Sequence, residues 1–199
     1  RRSLRRRGRP VIAALYVQTN GAYFGLEGVD PWDEARDARL YAGPWPVVAH
    51  PPCSRWCQLA AVNEKRWGAM RGDDGGCFAS ALAAVRKFGG VLEHPAETLA
   101  WRHFGLRRPS RHGWTRDLVD GSWSCEVAQS AYGHPARKLT WLYYVGTPPP
   151  PPLEWGRPKA TARVGHRRDG STLRHLGKKE ASASPVAFRD LLIRIARFA

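Results

Sequence analysis

The apolar positions fall into short runs separated by turn residues. Val11 to Val17 (VIAALYV) is apolar almost throughout and stops at Thr19-Asn20-Gly21, so it predicts a strand covered on both faces. Pro46 to Ala49 predicts a second buried strand, running straight into His50-Pro51-Pro52-Cys53. Ala79 to Phe88 has helical composition and is stopped by Gly89-Gly90. Val91-Leu92 opens a third strand that runs into Glu93-His94-Pro95. Ser124 to Tyr132 predicts a strand passing into a loop or helix, and Leu139 to Val145 (LTWLYYV) another strand. Trp32 to Tyr41 is charge-rich, follows a proline, and predicts a short surface helix. Phe188, Leu191, Leu192 and Ile195 share one face of a last helix that starts at Ser184-Pro185.

Strand, helix and strand in alternation predict an α/β fold with parallel neighbours: a single, truncated Rossmann-like sheet. The expected organisation is a basic arm over 1–10, an α/β core over 11–147, a proline-rich spacer and basic loop region over 148–183, and a C-terminal helix over 184–199 that packs on the core. The unbroken prolines Pro148 to Pro152 predict an extended, stiff spacer.

The chain has 199 residues and 43% hydrophobic content, enough for a sizeable core. It contains no run of roughly 20 apolar residues, so no membrane-spanning segment is expected. No secretory apolar stretch follows the basic start, and a cytoplasmic location is the expectation. The formal charge is +15, from 32 Lys+Arg against 17 Asp+Glu. Such an excess favours a polyanion, since phosphate neutralisation releases counterions and supplies affinity without sequence preference. Nucleic acid is the expected partner, although anionic membrane surfaces and a merely solvated basic face fit the charge too.

Three strand-to-loop junctions hold the residues with chemistry: Pro51-Pro52-Cys53, Glu93-His94-Pro95, and Tyr132 to Lys138. In open α/β sheets ligands bind beyond the carboxyl ends of the strands, so neighbouring strands bring these loops to one crevice. A thiolate there can add to carbon 6 of a pyrimidine, a carboxyl can contact the ring nitrogen, and a basic residue can hold the base or its phosphate. The base must first leave the duplex stack.

In this order the three motifs resemble those of the cytosine-5 DNA methyltransferases, over Val47 to Val145. Pro52-Cys53 looks like the family's catalytic Pro-Cys loop. Leu92-Glu93-His94-Pro95 is similar to its Glu-Asn-Val motif, with His94 in place of Asn. Ala131-Tyr132-Gly133-His134-Pro135 resembles its Tyr-Gly-x-Pro-Gln-x-Arg-x-Arg segment, and the intervals between the motifs are similar. The resemblance implies a compact, phage-like or mobile-element-like enzyme. Cys53 would be its nucleophile and Glu93 its ring-nitrogen contact, with Lys138 or Arg137 as the base or phosphate contact. Methyl transfer from S-adenosylmethionine is the reaction expected by default, and a degenerate, base-flipping DNA binder is the alternative. Its donor turn corresponds to Leu15 to Gly28, where Gly21 and Gly25 are the only glycines within the turn. Positions 29 to 52 are too few for the strand–helix–strand passage that completes the family's donor site.

Candidate nucleic-acid contacts are Trp56, as a stacking platform three residues beyond Cys53, the loop histidines His50 and His94, and the basic residues Arg163, Arg167, Arg168, Lys178 and Lys179. The two histidines also suit a second role, tuning the Cys53 thiolate or bonding the loop. His50, Cys53, Cys57 and Cys77 make four possible zinc ligands, but Cys-x-x-x-Cys is not the usual knuckle spacing and no metal is expected.

Overall fold

Seven short strands, each bounded by turns, assemble into one mixed sheet. The computed structural model describes residues 11–58, 60–164 and 172–199, so the basic arm over 1–10 and both Arg167 and Arg168 lie outside the described residues. In chain order the elements are β1 (Ile12–Leu15), β2 (Val29–Trp32), β3 (Val47–Ala49), α1 (Ala60–Trp67), α2 (Cys77–Phe88), β4 (Gly90–Pro95), α3 (Leu99–His103), β5 (Thr115–Arg116), β6 (Trp123–Ala128), β7 (Leu139–Val145), β8 (Ala162–Arg163), β9 (Arg174–His175), α4 (Lys178–Ser182) and α5 (Val186–Ala196). The sheet order is β2-β1-β3-β4-β7-β6-β5. Strands β2, β1, β3 and β4 are parallel, while β7 runs antiparallel to both β4 and β6.

Side chains alternate across the sheet and build two cores. Ile12, Ala14, Val48 and Val91 face Phe188, Leu192 and Ile195 of α5. Ala13, Leu15, Val47, Ala49 and Leu92 face Phe78, Leu82 and Val85 of α2. Every residue of β1 and β3 is fully buried, which is why both read as unbroken apolar runs. Two residues before the N-cap Gly76, the Asp74 carboxylate holds the start of α2, accepting from the Phe78 and Gly76 backbone N–H groups and from Trp56 Nε1. The helix ends at Gly89, with φ at 78°. Gly90 opens β4 so close to β3 that a Cβ there would sit 2.0 Å from the Val47 carbonyl oxygen.

Two expectations are corrected. The segment from Trp32 to Tyr41 is not a helix: Trp32 closes strand β2, and only Ala38–Leu40 makes a single 3₁₀ turn. Asp33 accepts from the Arg36 N–H, and Asp37 adopts a left-handed φ of 50°, which breaks helical continuity. A strand therefore does lie between Gly28 and Cys53, reached from β1 without a helix. Neighbours are not all parallel either. Only a 3₁₀ turn and a loop separate β6 from β7, too little chain for a parallel crossover. The proline run lies against the core: Pro150 and Pro151 are buried, and Trp114 Nε1 donates to the Pro151 carbonyl at 2.9 Å.

The basic region folds back on the core. Thr161 and Ala162 donate their N–H groups to the Pro135 carbonyl, and Ala136, Ala162 and Leu176 form a small buried cluster beside the two-stranded β8–β9 sheet. Among the described residues, no helix is long and apolar enough to cross a membrane.

Candidate active site

β3 and β4 are parallel neighbours, so the loops beyond their carboxyl ends emerge side by side. The first places Cys53 and the second strand carries Glu93, while the loop leading into β7 brings Lys138 alongside. The three side chains lie within electrostatic reach of one another: Glu93 raises the pKa of Cys53, and both raise that of Lys138.

Cys53 is exposed as a residue, but protein packed around the sulfur pushes its thiol above the ordinary value, and Glu93 and Cys57 push it further. Lys138 pulls it back only in part. Lys138 itself is lowered, chiefly by burial. Its ammonium donates to the Ser182 and Ala183 carbonyls at 3.1 and 2.8 Å, which ties the site to the end of α4. Arg137, beside it, is exposed.

Glu93 keeps 12% of its side-chain surface open. Burial is the largest influence on it and acts upward. The bond to His50 and the charges of His50, Lys138 and His94 outweigh burial, and hold the carboxyl below the usual range. His50 Nδ1 lies 3.0 Å from Glu93 Oε2, and His50 Nε2 lies 2.8 Å from the Tyr23 hydroxyl. Gln129 Nε2 reaches Glu93 Oε1 at 3.4 Å and Thr140 Oγ1 at 2.9 Å.

Several expected contacts are elsewhere. Trp56 is 3% exposed, and its indole packs on Phe78, His103 and Phe104, so it offers no face for a base. His94 is 1% exposed, between Phe78 and Trp101, with Nδ1 bonded to Thr98 Oγ1, so it too cannot reach nucleic acid. His50 turns inward, with both ring nitrogens engaged by protein, and is neither a strand contact nor a partner of the thiol. Arg163 is half-buried in β8, whereas Lys178 and Lys179 are exposed at the start of α4. A depression of about 690 Å³ borders Trp56, Arg71, Arg102 and His103, not Cys53 or Glu93. Tyr23, Gln129 and Thr140 also belong to the site; Tyr23 and Gln129 stand in no motif, and Thr140 falls at the last Arg position of the third motif, where the family's residue is not kept. The only hint in the sequence is that Tyr23 lies in the loop after β1, and Gln129 and Thr140 at the ends of β6 and β7.

The residues after β1 do not fit an adenosyl donor. Such a ligand needs open space at the switch point between β1 and β3, where the chain departs to opposite sides of the sheet. Here the β1–β2 loop sends Tyr23 across that gap to His50, with 5% of Tyr23 exposed. Tyr16, at φ 60°, crosses to Ser80 on α2. Gly21 is closed by its own turn, since a Cβ would lie 2.7 Å from the Gln18 carbonyl oxygen. Asp33, after β2, has its carboxylate engaged by Thr19 Oγ1 and the Arg36 N–H.

Fold and site together define a Rossmann-like α/β protein with a cysteine and a carboxylate within electrostatic reach of each other at the carboxyl edge of its sheet. Compared with known protein families, with curated proteins and with solved structures, the chain finds no match.

Proposed function

We propose that the protein acts on cytosine in DNA through a covalent Cys53 adduct at carbon 6, the route to modification at carbon 5 used by the cytosine-5 DNA methyltransferases that its motifs resemble. The observation behind this reading is the grouping of Cys53, an exposed residue, with Glu93 and Lys138 at the ends of β3, β4 and the loop before β7. In the reaction the thiolate bonds to carbon 6. The C5–C6 π electrons move toward C4, and the C4–N3 pair comes to rest on N3. Glu93, held as a carboxylate, favours the N3-protonated ring, because an opposite charge nearby stabilises the charged form. The ring takes that proton from solvent. Lys138 offsets the negative charge of the thiolate. Exposed Lys178 and Lys179, on the helix whose last turn holds Lys138, are placed for phosphate contacts. No step is assigned to S-adenosylmethionine, whose crevice the two tyrosines fill.

That filled crevice favours a second reading: a DNA-binding relative that engages a flipped base without turnover. One experiment separates them. Oligonucleotides carrying 2-pyrimidinone in place of cytosine are incubated with the protein and run on a denaturing gel. A band of shifted mobility that disappears in Cys53→Ala supports the nucleophile. An adduct persisting in Cys53→Ala refutes it, and salt-sensitive binding without any adduct selects the second reading. Mass analysis of nucleosides from DNA exposed to the protein in cells then identifies any change on deoxycytidine.

A further inference from the structure

Glu93 is held more tightly from one side than from the other. Its Oε2 meets His50 Nδ1 at 3.0 Å, and the far nitrogen of that ring meets the Tyr23 hydroxyl at 2.8 Å. The direction of the first bond follows from the carboxylate. Glu93 is held below the usual carboxylate range and can only accept, so Nδ1 carries its proton toward Oε2. In the neutral ring Nε2 is then left as the acceptor for the Tyr23 hydroxyl. A side chain from the β1–β2 loop thereby holds the far end of a residue after β3, which in turn orients a residue of β4.

The other oxygen is different. Glu93 Oε1 has only Gln129 Nε2 among the described residues, at the long distance of 3.4 Å, and that amide is better placed on Thr140 Oγ1 at 2.9 Å. Gln129 is fully buried, and its own Oε1 has no hydrogen-bond partner among the described residues. The charged or titratable groups around the carboxylate are His50 from the end of β3, Cys53 from the Pro-Cys loop, Lys138 from the loop before β7, and His94 on β4 itself. None of the last three has a hydrogen bond to Glu93.

We infer that His50 is a positioning residue: held at its far nitrogen by Tyr23, it pins Glu93 through Oε2 and leaves Oε1 to face the ring nitrogen of the pyrimidine. This rests on the reading of Cys53 as nucleophile. A histidine serving the thiol instead would need a free ring nitrogen, and His50 has none. A merely structural pair would hold the fold but leave the chemistry of Glu93 unaffected.

The test follows adduct formation on the 2-pyrimidinone oligonucleotide against pH, for wild type, His50→Ala, His50→Asn and Tyr23→Phe, with circular dichroism to verify folding. An asparagine amide can stand where Nδ1–H stands, so His50→Asn should remain within a few-fold of wild type. His50→Ala should slow the adduct roughly 10- to 100-fold, the usual scale for losing an orienting partner. Its acid limb should also move to higher pH, because a buried carboxyl without its donor ionises less readily. Tyr23→Phe should fall between the two. A His50→Ala protein that forms adduct at the wild-type rate with an unchanged pH profile overturns the assignment and leaves the nucleophile standing. If His50→Ala does not fold, His50→Asn as slow as Glu93→Gln overturns it equally. Wild type without adduct removes the nucleophile reading, and the role of His50 with it.

Discussion

Mild acid should destabilise this protein through His94. The side chain is 1% exposed, its Nδ1 is 2.7 Å from Thr98 Oγ1, and its ring centroid lies 5.1 Å from Phe78 and 6.5 Å from Trp101. Burial lowers its pKa from 6.5 to about 4, although Glu93, Asp74 and the Pro51 and Pro52 carbonyls pull the other way. The unfolded chain takes up the proton below pH 6.5 and the folded one resists it until about 4. The contribution is therefore complete above 6.5 and is lost as pH falls between those values. The gap corresponds to about 3 kcal/mol in all, of which about 2 kcal/mol is gone by about pH 5. Urea unfolding followed by tryptophan fluorescence at about pH 7.5, 6 and 5 measures it. Wild type should lose about 2 kcal/mol more than His94→Gln over that range, a midpoint difference of about 1 M. Parallel pH dependence in the two proteins would refute the reasoning. Because the Pro51 and Pro52 carbonyls lie against this ring, Cys53 should lose its placement in the same window.

Two further outcomes test the sheet and the charged surface. Gly90→Ala combines a φ of 117° with a Cβ driven onto the Val47 carbonyl, and should cost about 3 kcal/mol or more, read as a fall in melting temperature of about 6–12 °C. An unchanged melting temperature would mean that β3 and β4 are not so closely apposed. If Lys178 and Lys179 contact phosphates, Lys178→Ala with Lys179→Ala should reduce the slope of log affinity against log salt by about 2, while adduct yield at saturating oligonucleotide holds. An unchanged slope would place the phosphate path elsewhere.

Much of the scaffold is written in local pattern. Burial on both faces leaves little room for polar positions, so β1, β3, β7 and the start of β4 stand out as apolar runs, and the glycines after Phe88 end α2 where the sequence places its stop. The motif residues Cys53, Glu93 and Lys138 are legible for a similar reason, since each adjoins or sits in such a run.

What sequence could not reach were the interactions made across the sheet. β2 contains Asp30 and Pro31 and is only half-buried, so nothing in its composition marks a strand; pairing with β1 makes it one. Trp56 and His94 resemble surface ligands in a motif but are drawn inward by Phe78 and Phe104 in the first case and by Phe78 and Trp101 in the second. Tyr23, His50 and Glu93 come from three different segments, and their order of proton donation exists only once β1, β3 and β4 lie side by side. Periodicity and turn chemistry act between near neighbours and therefore survive in the sequence. The filling of the switch point and the tethering of Glu93 depend on which loops share a sheet edge, and that is decided only when the chain has folded.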